Sequence, residues 1–141
     1  MLAIAHRGAS GYAPENTRAA FDNALAMGAD AIETDVQLSA DGELIIFHDT
    51  TIERTSNGRG PLGDHSLPEL QALDLGGWYA PEYAGQRILT VAELLDEYAG
   101  RISFALEIKD PRAARPLHPM RRDLNRGAPG RVRRDGLHGI S

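Results

Sequence analysis

The stretch Leu-Ala-Ile-Ala-His-Arg-Gly, residues 2–8, decides how the fold begins. Its apolar residues, 2–5, predict a short buried strand, and Gly8 predicts the turn that ends this strand. His6 and Arg7 therefore lie where a strand passes into a loop.

A second strand is predicted over residues 30–36, Asp-Ala-Ile-Glu-Thr-Asp-Val. Side chains alternate across a strand, so Glu33 and Asp35 project from the same face and lie side by side. Like-charge repulsion and desolvation make this pair costly unless a cation or a shared proton neutralises it. We expect one divalent ion, Mg2+ or Ca2+, because both ions bind carboxylate oxygens.

Residues 43–47 form a third apolar segment that runs into His48 and Asp49. The preceding Asp41-Gly42 pair is a strong hairpin signal, so we predict a turn followed by a strand. Asp49 either orients the ring of His48 or stabilises the turn, and the sequence leaves both roles open.

A fourth strand is predicted over residues 102–109, in which polar and apolar side chains alternate. Glu107 and Lys109 share one face of this strand. Glu107 is therefore a candidate third metal ligand, and Lys109 is a candidate partner for phosphate charge.

Helices are predicted between these strands. Residues 15–27 predict a helix that ends at Gly28, with Asn16 and Thr17 as capping or supporting residues and Glu15 at the positive end of the helix dipole. A second helix is predicted by a capping box at the start of residues 90–98.

The segment between residues 50 and 88 differs in composition, since it is rich in glycine and proline. We predict one short helix in it, beginning after Ser66, with Glu69 completing the cap.

Five motifs together resemble the glycerophosphodiester phosphodiesterase family. They are HRGAS at 6–10, APENT at 13–17, the Glu-x-Asp pair at 33–35, DGELIIFHD at 41–49 and LEIK at 106–109. The resemblance covers residues 2 to about 111. It implies an α/β, TIM-barrel-like (β/α)8 fold of the phospholipase C-like phosphodiesterase type, present as its N-terminal part with a small insertion at residues 50–88.

The resemblance also implies roles for seven side chains. The general acid and base would be His6 and His48. The ligands of one divalent ion would be Glu33, Asp35 and Glu107. The substrate phosphate would be held by Arg7 and Lys109. Imidazole suits proton transfer because its unperturbed pKa is about 6.5, so both protonation states are accessible near neutrality.

In the resembled family the insertion flanks the mouth of the active site. This implies that Trp78 and Tyr79 contact the substrate, although Trp78 equally suits the lid of a small core.

The implied reaction is hydrolysis of a glycerophosphodiester to glycerol 3-phosphate and an alcohol such as choline or ethanolamine. The attacking oxygen is either water or the neighbouring glycerol hydroxyl. Two alternatives stay open: a catalytically inactive truncated fragment, and a phospholipase-like phosphodiesterase that acts on a lipid headgroup.

The length of the chain argues for a partial barrel, because a TIM barrel typically takes about 250 residues and this chain has 141. Composition changes after residue 111. Residues 1–111 carry a formal charge of −11, whereas residues 112–141 are rich in Arg, Pro and Gly and carry +6. We therefore predict a tail over residues 112–141 that is disordered or translated out of frame, which the nucleotide sequence around codon 111 would decide.

Composition excludes several other classes. The chain has no cysteine, so it holds neither a disulfide framework nor a thiolate metal site. Neither a leader peptide nor a membrane-spanning run is visible, which predicts a cytoplasmic location. We expect no nucleic acid as a partner of the acidic, motif-bearing part. Binding of nucleic acid or an acidic membrane by the arginine-rich tail is the weakest hypothesis, and the oligomeric state stays open.

Overall fold

The computed structural model describes residues 2–120, which contain four strands and four α-helices. The strands are β1 (Ile4–His6), β2 (Ala31–Leu38), β3 (Leu44–Ile46) and β4 (Ser103–Ile108). The helices are α1 (Arg18–Ala26), α2 (Leu67–Gln71), α3 (Val91–Tyr98) and α4 (Ala114–Leu117). Short 3-10 turns occupy Leu62–Asp64, Pro81–Tyr83, Pro111–Ala113 and His118–Met120.

The sheet is built around β2. Strands β1 and β4 both pair with β2 in parallel, and they share Ala31, Ile32 and Glu33 as partners, so they lie on opposite sides of it. The register places His6 opposite Glu33 and Asp35 opposite Glu107. The carboxyl ends of the three parallel strands therefore meet at one edge of the sheet.

Strand β3 does not follow the parallel arrangement. Strand β2 continues to Leu38, two residues beyond the predicted end, and the hairpin at Asp41-Gly42 returns the chain antiparallel to this extension. Val36 lies opposite Ile46, and the Phe47 N–H then donates to the carbonyl of Asp35 at 3.1 Å. The antiparallel return thus brings the residue after Phe47 back to the carboxyl end of the parallel strands.

Helix α1 begins three residues later than predicted. Thr17 is its N-cap, because the Thr17 side chain accepts a hydrogen bond from the N–H of Ala20. Asn16 has a φ of 56°, which no residue of a right-handed helix adopts. Glu15 consequently lies outside the helix, two residues before the N-cap, and its predicted interaction with the helix dipole stays a prediction.

The other capping predictions are confirmed. Thr90 and Glu93 form a reciprocal capping box at the start of α3. Ser66 caps α2 by accepting from the N–H of Glu69. In both places a short polar side chain satisfies a backbone donor that has no partner within the helix.

Two groups of buried apolar residues stabilise the fold. The larger cluster packs α1 and α3 against the sheet and includes Phe21, Ile32, Leu94 and Phe104. The smaller cluster joins β3 to the segment at 50–88; its members are Ile45, Phe47, Ile52, Leu62, Leu70, Leu75 and Ile88. Alternate side chains of β3 therefore face the two clusters.

Residues 111–120 form helical turns, and Ala113 and Leu117 are buried in the larger cluster. This ordered packing differs from the disorder that we predicted from residue 112 onward. The reason is that two small or apolar side chains at i and i+4 suffice to bury one face of a short helix, although the composition is mostly polar. The rest of the predicted tail, 121–141, lies outside the described residues.

Within residues 2–120, no helix is both long and apolar enough to cross a membrane. The predicted cytoplasmic location stays a prediction.

Candidate active site

Three carboxylates converge at the carboxyl ends of β2 and β4. Glu33 and Asp35 lie on the same face of β2, and Glu107 lies on β4 directly opposite Asp35. One oxygen from each of the three side chains lies within 4.8 Å of the others. The alternation within β2 and the parallel register with β4 together produce this group, which we call the carboxylate site.

The two inner carboxylates are buried and incompletely paired. Glu33 is 8% exposed and Asp35 is fully buried. Oε2 of Glu33 and Oδ1 of Asp35 accept no hydrogen bond from residues 2–120. Burial and the neighbouring Asp35 charge raise the pKa of Glu33 to about 7, and burial likewise raises the pKa of Asp35. Free buried oxygens on adjacent acids fit a hard divalent cation, which would satisfy both atoms and offset the repulsion.

The third carboxylate has a different environment. The side chain of Glu107 is 57% exposed, and the Lys109 ammonium donates to it at 2.9 Å, which lowers the pKa of Glu107. The same ammonium lies 3.8 Å from Oδ1 of Asp35. The carboxylate site is thus buried at its two β2 residues and exposed to solvent at its β4 residue.

His6 and Arg7 lie beside the carboxylates at the end of β1. Nε2 of His6 is 3.4 Å from Oε2 of Glu33, and Nε of Arg7 is 3.7 Å from Oδ2 of Asp35. Partial burial and the Arg7 charge lower the pKa of His6 below its ordinary value. The Arg7 Nε is buried and has no hydrogen-bond partner among the described residues.

Gly8 allows this loop to pack closely on α1. Its φ is +79°, and a Cβ at this position would lie 2.8 Å from the Ala20 Cβ. Any other residue would push the loop, and with it His6 and Arg7, away from the helix.

His48 reaches the same end of the sheet by the antiparallel path of β3. The Gln37 side-chain amide donates to the carbonyls of Phe47 and Asp49, both at 2.8 Å, and so holds the backbone on either side of His48. Oδ1 of Asp49 lies 2.6 Å from Nδ1 of His48. Of the two roles left open for Asp49, this contact supports orientation of the ring.

Further residues support the site although they were not predicted to belong to it, among them Asn16, Glu15 and Arg54. Asn16 donates to Asp35 at 3.1 Å and accepts from Thr34 at 2.7 Å, so its buried amide fixes the carboxylate rather than capping α1. Glu15 accepts hydrogen bonds from both Arg7 and Arg54. The Pro14-Glu15-Asn16-Thr17 stretch suggested a helix start, so these contacts were missed. The one available signal was that asparagine adopts a left-handed φ more readily than most residues, as Asn16 does here.

All seven predicted site residues are therefore brought to one end of the sheet, and their catalytic and binding roles stay predictions. Trp78 is partly exposed, its N–H donates to the carbonyl of Leu75, and its ring packs edge-to-face against Tyr79. Contact of these two aromatic residues with a substrate also stays a prediction.

Comparison with known proteins identifies the family. A family model described as the glycerophosphoryl diester phosphodiesterase family matches residues 6–136. The match extends past the boundary near residue 111 that the motifs suggested. A glycerophosphodiester phosphodiesterase of Bacillus subtilis is 40% identical over 119 residues, which cover 79% of this chain and 41% of the relative.

Solved structures give the same result. A glycerophosphodiester phosphodiesterase from Agrobacterium tumefaciens superimposes with a TM-score of 0.81 at 42% identity, covering 86% of this chain and 53% of that one. A phosphodiesterase from Oleispira antarctica, solved in complex with the product sn-glycerol-3-phosphate, gives a TM-score of 0.81 at 36% identity and covers 92% and 55%. This chain therefore spans about half the length of such relatives. The predicted α/β, TIM-barrel-like fold class is confirmed, and the chain belongs to the glycerophosphoryl diester phosphodiesterase family.

Proposed function

We propose that this chain carries the active site of a metal-dependent phosphodiesterase that hydrolyses glycerophosphodiesters to glycerol 3-phosphate and an alcohol. The observation that carries the proposal is the carboxylate site, in which two buried acids leave free oxygens within reach of a third, exposed one. Two cationic side chains, each directly after a strand, lie beside it, which favours an anionic substrate. The Oleispira relative with bound sn-glycerol-3-phosphate supports the substrate class.

The ion would be Mg2+ or Ca2+, held by Glu33, Asp35 and Glu107. When bound, it would supply positive charge to the phosphodiester oxygens and offset the charge that develops in the transition state. The three candidate ligands are all carboxylates, whose hard oxygens suit either ion.

The phosphate would be bound by Arg7 and Lys109, which lie on opposite sides of Asp35. Their nitrogens are 3.7 and 3.8 Å from its two oxygens. These distances are longer than close hydrogen bonds, so both cations keep donors for another anion.

Proton transfer would be carried out by His6 and His48. Burial lowers the pKa of His6, which favours the neutral imidazole and supports His6 as the base that removes a proton from the attacking oxygen. An ionised Asp49 accepts hydrogen bonds but donates none, so Nδ1 of His48 carries the proton in that contact. His48 would then use Nε2 toward the departing alcohol.

The test is release of glycerol 3-phosphate from glycerophosphocholine by the purified 141-residue chain, with Mg2+ or Ca2+ and then with a chelator. We expect turnover that the chelator abolishes and that falls at least about 100-fold in His6→Ala, the usual size of a general-base contribution. His118→Ala is the matched control, because His118 is exposed and lies outside the site.

Turnover that is insensitive to the chelator, or equal in His6→Ala and the unmodified chain, would contradict the mechanism. A chain that melts cooperatively yet releases no glycerol 3-phosphate would favour the inactive-fragment alternative.

A further inference from the structure

Arg54 lies outside the seven predicted site residues, yet it contacts two carboxylates at the edge of the site. Its Nε and Nη2 donate to Asp49 at 2.8 and 3.0 Å. Its Nη1 and Nη2 donate to Glu15 at 2.8 and 3.0 Å. We call Arg54, Glu15 and Asp49 the Arg54 network.

The network is connected to the site at both ends. Asp49 contacts the ring of His48 at 2.6 Å. Glu15 is also approached by the Arg7 guanidinium, at 3.3 and 3.4 Å, which is clearly longer than its bonds to Arg54. Glu15 is thus shared by two arginines and is paired more closely with the one farther from the carboxylate site.

This sharing matters because Glu15 and an incoming phosphate would compete for the same cation. The Glu15 side chain is only 10% exposed, so without a second cation it would need Arg7 as its close partner. A guanidinium that forms a two-bond pair with a carboxylate has fewer donors and less net charge to offer to phosphate. In this structure Arg54 takes that place instead.

We infer that Arg54 is a positioning residue for phosphate binding: held by Asp49, its guanidinium neutralises Glu15 and so leaves Arg7 free to bind the phosphate of the substrate. The inference rests on the proposed role of Arg7. Arg54 itself comes from the segment at 50–88, so this insertion-like part of the chain would tune the site without touching substrate.

The planar fork of arginine is needed for this geometry. Three nitrogens of one side chain reach four carboxylate oxygens on two loops, which a single ammonium group does not reproduce. Because the Arg54 side chain is 46% exposed, its ion pairs contribute little to global stability. Loss of Arg54 should therefore affect ligand binding far more than folding.

The experiment measures the affinity of the full chain for glycerol 3-phosphate by calorimetry in the presence of Mg2+. We expect Arg54→Ala to weaken binding about tenfold, as the loss of one charge-assisted contact would. The double variant Arg54→Ala/Glu15→Gln should restore the affinity to within about threefold of the unmodified chain, since the neutral amide no longer competes for Arg7. Arg59→Ala is the control, because Arg59 is exposed in the same segment.

A general structural role of Arg54 would not produce this rescue. Unchanged affinity in Arg54→Ala, or a double variant that binds no better than Arg54→Ala, would overturn the inference. The melting temperature of each variant should stay within about 4 °C of the unmodified chain, which separates a binding effect from unfolding.

A second measurement keeps this inference separate from the proposed function. If the unmodified chain does not bind glycerol 3-phosphate, the proposed function fails, and the NMR signal of the Arg7 Nε–H still decides the role of Arg54. We expect that signal to shift in Arg54→Ala, as Glu15 turns to Arg7, and to return in the double variant; an unmoved signal would overturn the inference.

Discussion

The carboxylate site and the Arg54 network lie at the same end of the sheet, yet the fold treats their acids in opposite ways. In the Arg54 network all four carboxylate oxygens accept hydrogen bonds, and contact with Arg54 lowers the pKa of Asp49 to about 2. In the carboxylate site, two buried oxygens have no hydrogen bond from the described residues, and the pKa values of Glu33 and Asp35 are raised. Arg54 thus satisfies the supporting acids through close hydrogen bonds, whereas each inner acid keeps one buried oxygen without a hydrogen bond, at which the proposed ion would bind.

The largest expected effect comes from Asp35→Asn, which removes a charge from the centre of the carboxylate site. We expect turnover to fall at least about 1,000-fold, because the variant would no longer hold the ion that stabilises the charge developing on the phosphate. Thermal melting in Mg2+ or Ca2+ measures the same change without catalysis, because an ion that binds only the folded state raises the melting temperature. Asp96→Asn, at an exposed position, is the control. If the ion still raises the melting temperature of Asp35→Asn, then Asp35 is not needed to bind the ion and the carboxylate site is not the ion site.

The next effect concerns Asn16, which supplies the hydrogen bond that Asp35 does have. Asn16→Gly removes the buried amide without opposing the positive φ, and we expect it to lower the free energy of unfolding by about 1–3 kcal/mol. Asn16→Ala should cost about 1 kcal/mol more, because alanine is strained in the left-handed region. Urea unfolding measures both values. Equal stability of the two variants would show that the backbone of this loop relaxes.

The raised pKa of Glu33 predicts that the stability of the folded chain depends on pH. Its folded pKa, about 7, lies above the ordinary value of 4.5, so the folded state holds the proton more tightly than the unfolded state. The resulting stability is present below about pH 4.5 and is lost as pH rises through 7. We expect the loss to be about 2 kcal/mol after allowance for screening by water. Urea unfolding in chelator at several pH values should show this fall in the unmodified chain and a flatter profile in Glu33→Gln; an equal fall in both would contradict the assignment.

The smallest expected effect is a loss of stability at low pH, and it comes from Asp49 in the Arg54 network. The folded pKa of Asp49, about 2, lies below its ordinary value of 3.8, so its contribution is present above about pH 4 and is lost as pH falls through 2. We expect about 1 kcal/mol, because the pair with Arg54 is partly exposed. Asp49→Asn should flatten the acid side of the same stability profile and leave the alkaline side unchanged. A change on the alkaline side would show that the two regions are coupled.

Much of the site could be predicted from local sequence patterns. The two-residue period of a strand places Glu33 and Asp35 on one face, and the Ser66 and Thr90 caps follow from the chemistry of helix ends. The Asp41-Gly42 hairpin signal predicted an antiparallel return, whereas the resemblance to a barrel implied parallel strands, and the sequence alone did not decide which arrangement β3 adopts. The antiparallel direction depends on the extension of β2 to Leu38, which is a matter of pairing between segments rather than of composition.

Residues 111–120 form packed helical turns, although their composition predicted disorder. A polar, arginine-rich segment predicts disorder when it is considered alone, but Ala113 and Leu117 find a partner surface in the larger cluster. Their burial depends on what the rest of the chain presents at that position. The reading-frame hypothesis for the tail stays a prediction that the nucleotide sequence tests.

Local sequence patterns suffice to predict the types of chemical group, the strands that carry them and the family, because these depend on residues that are neighbours along the chain. Which acids accept hydrogen bonds depends on contacts that form only when the chain folds. Asn16 meets Asp35, and Arg54 meets Glu15, across 19 and 39 positions of the sequence. A carboxylate's pKa and pairing depend on burial and on charges within a few ångströms, and folding alone establishes those distances.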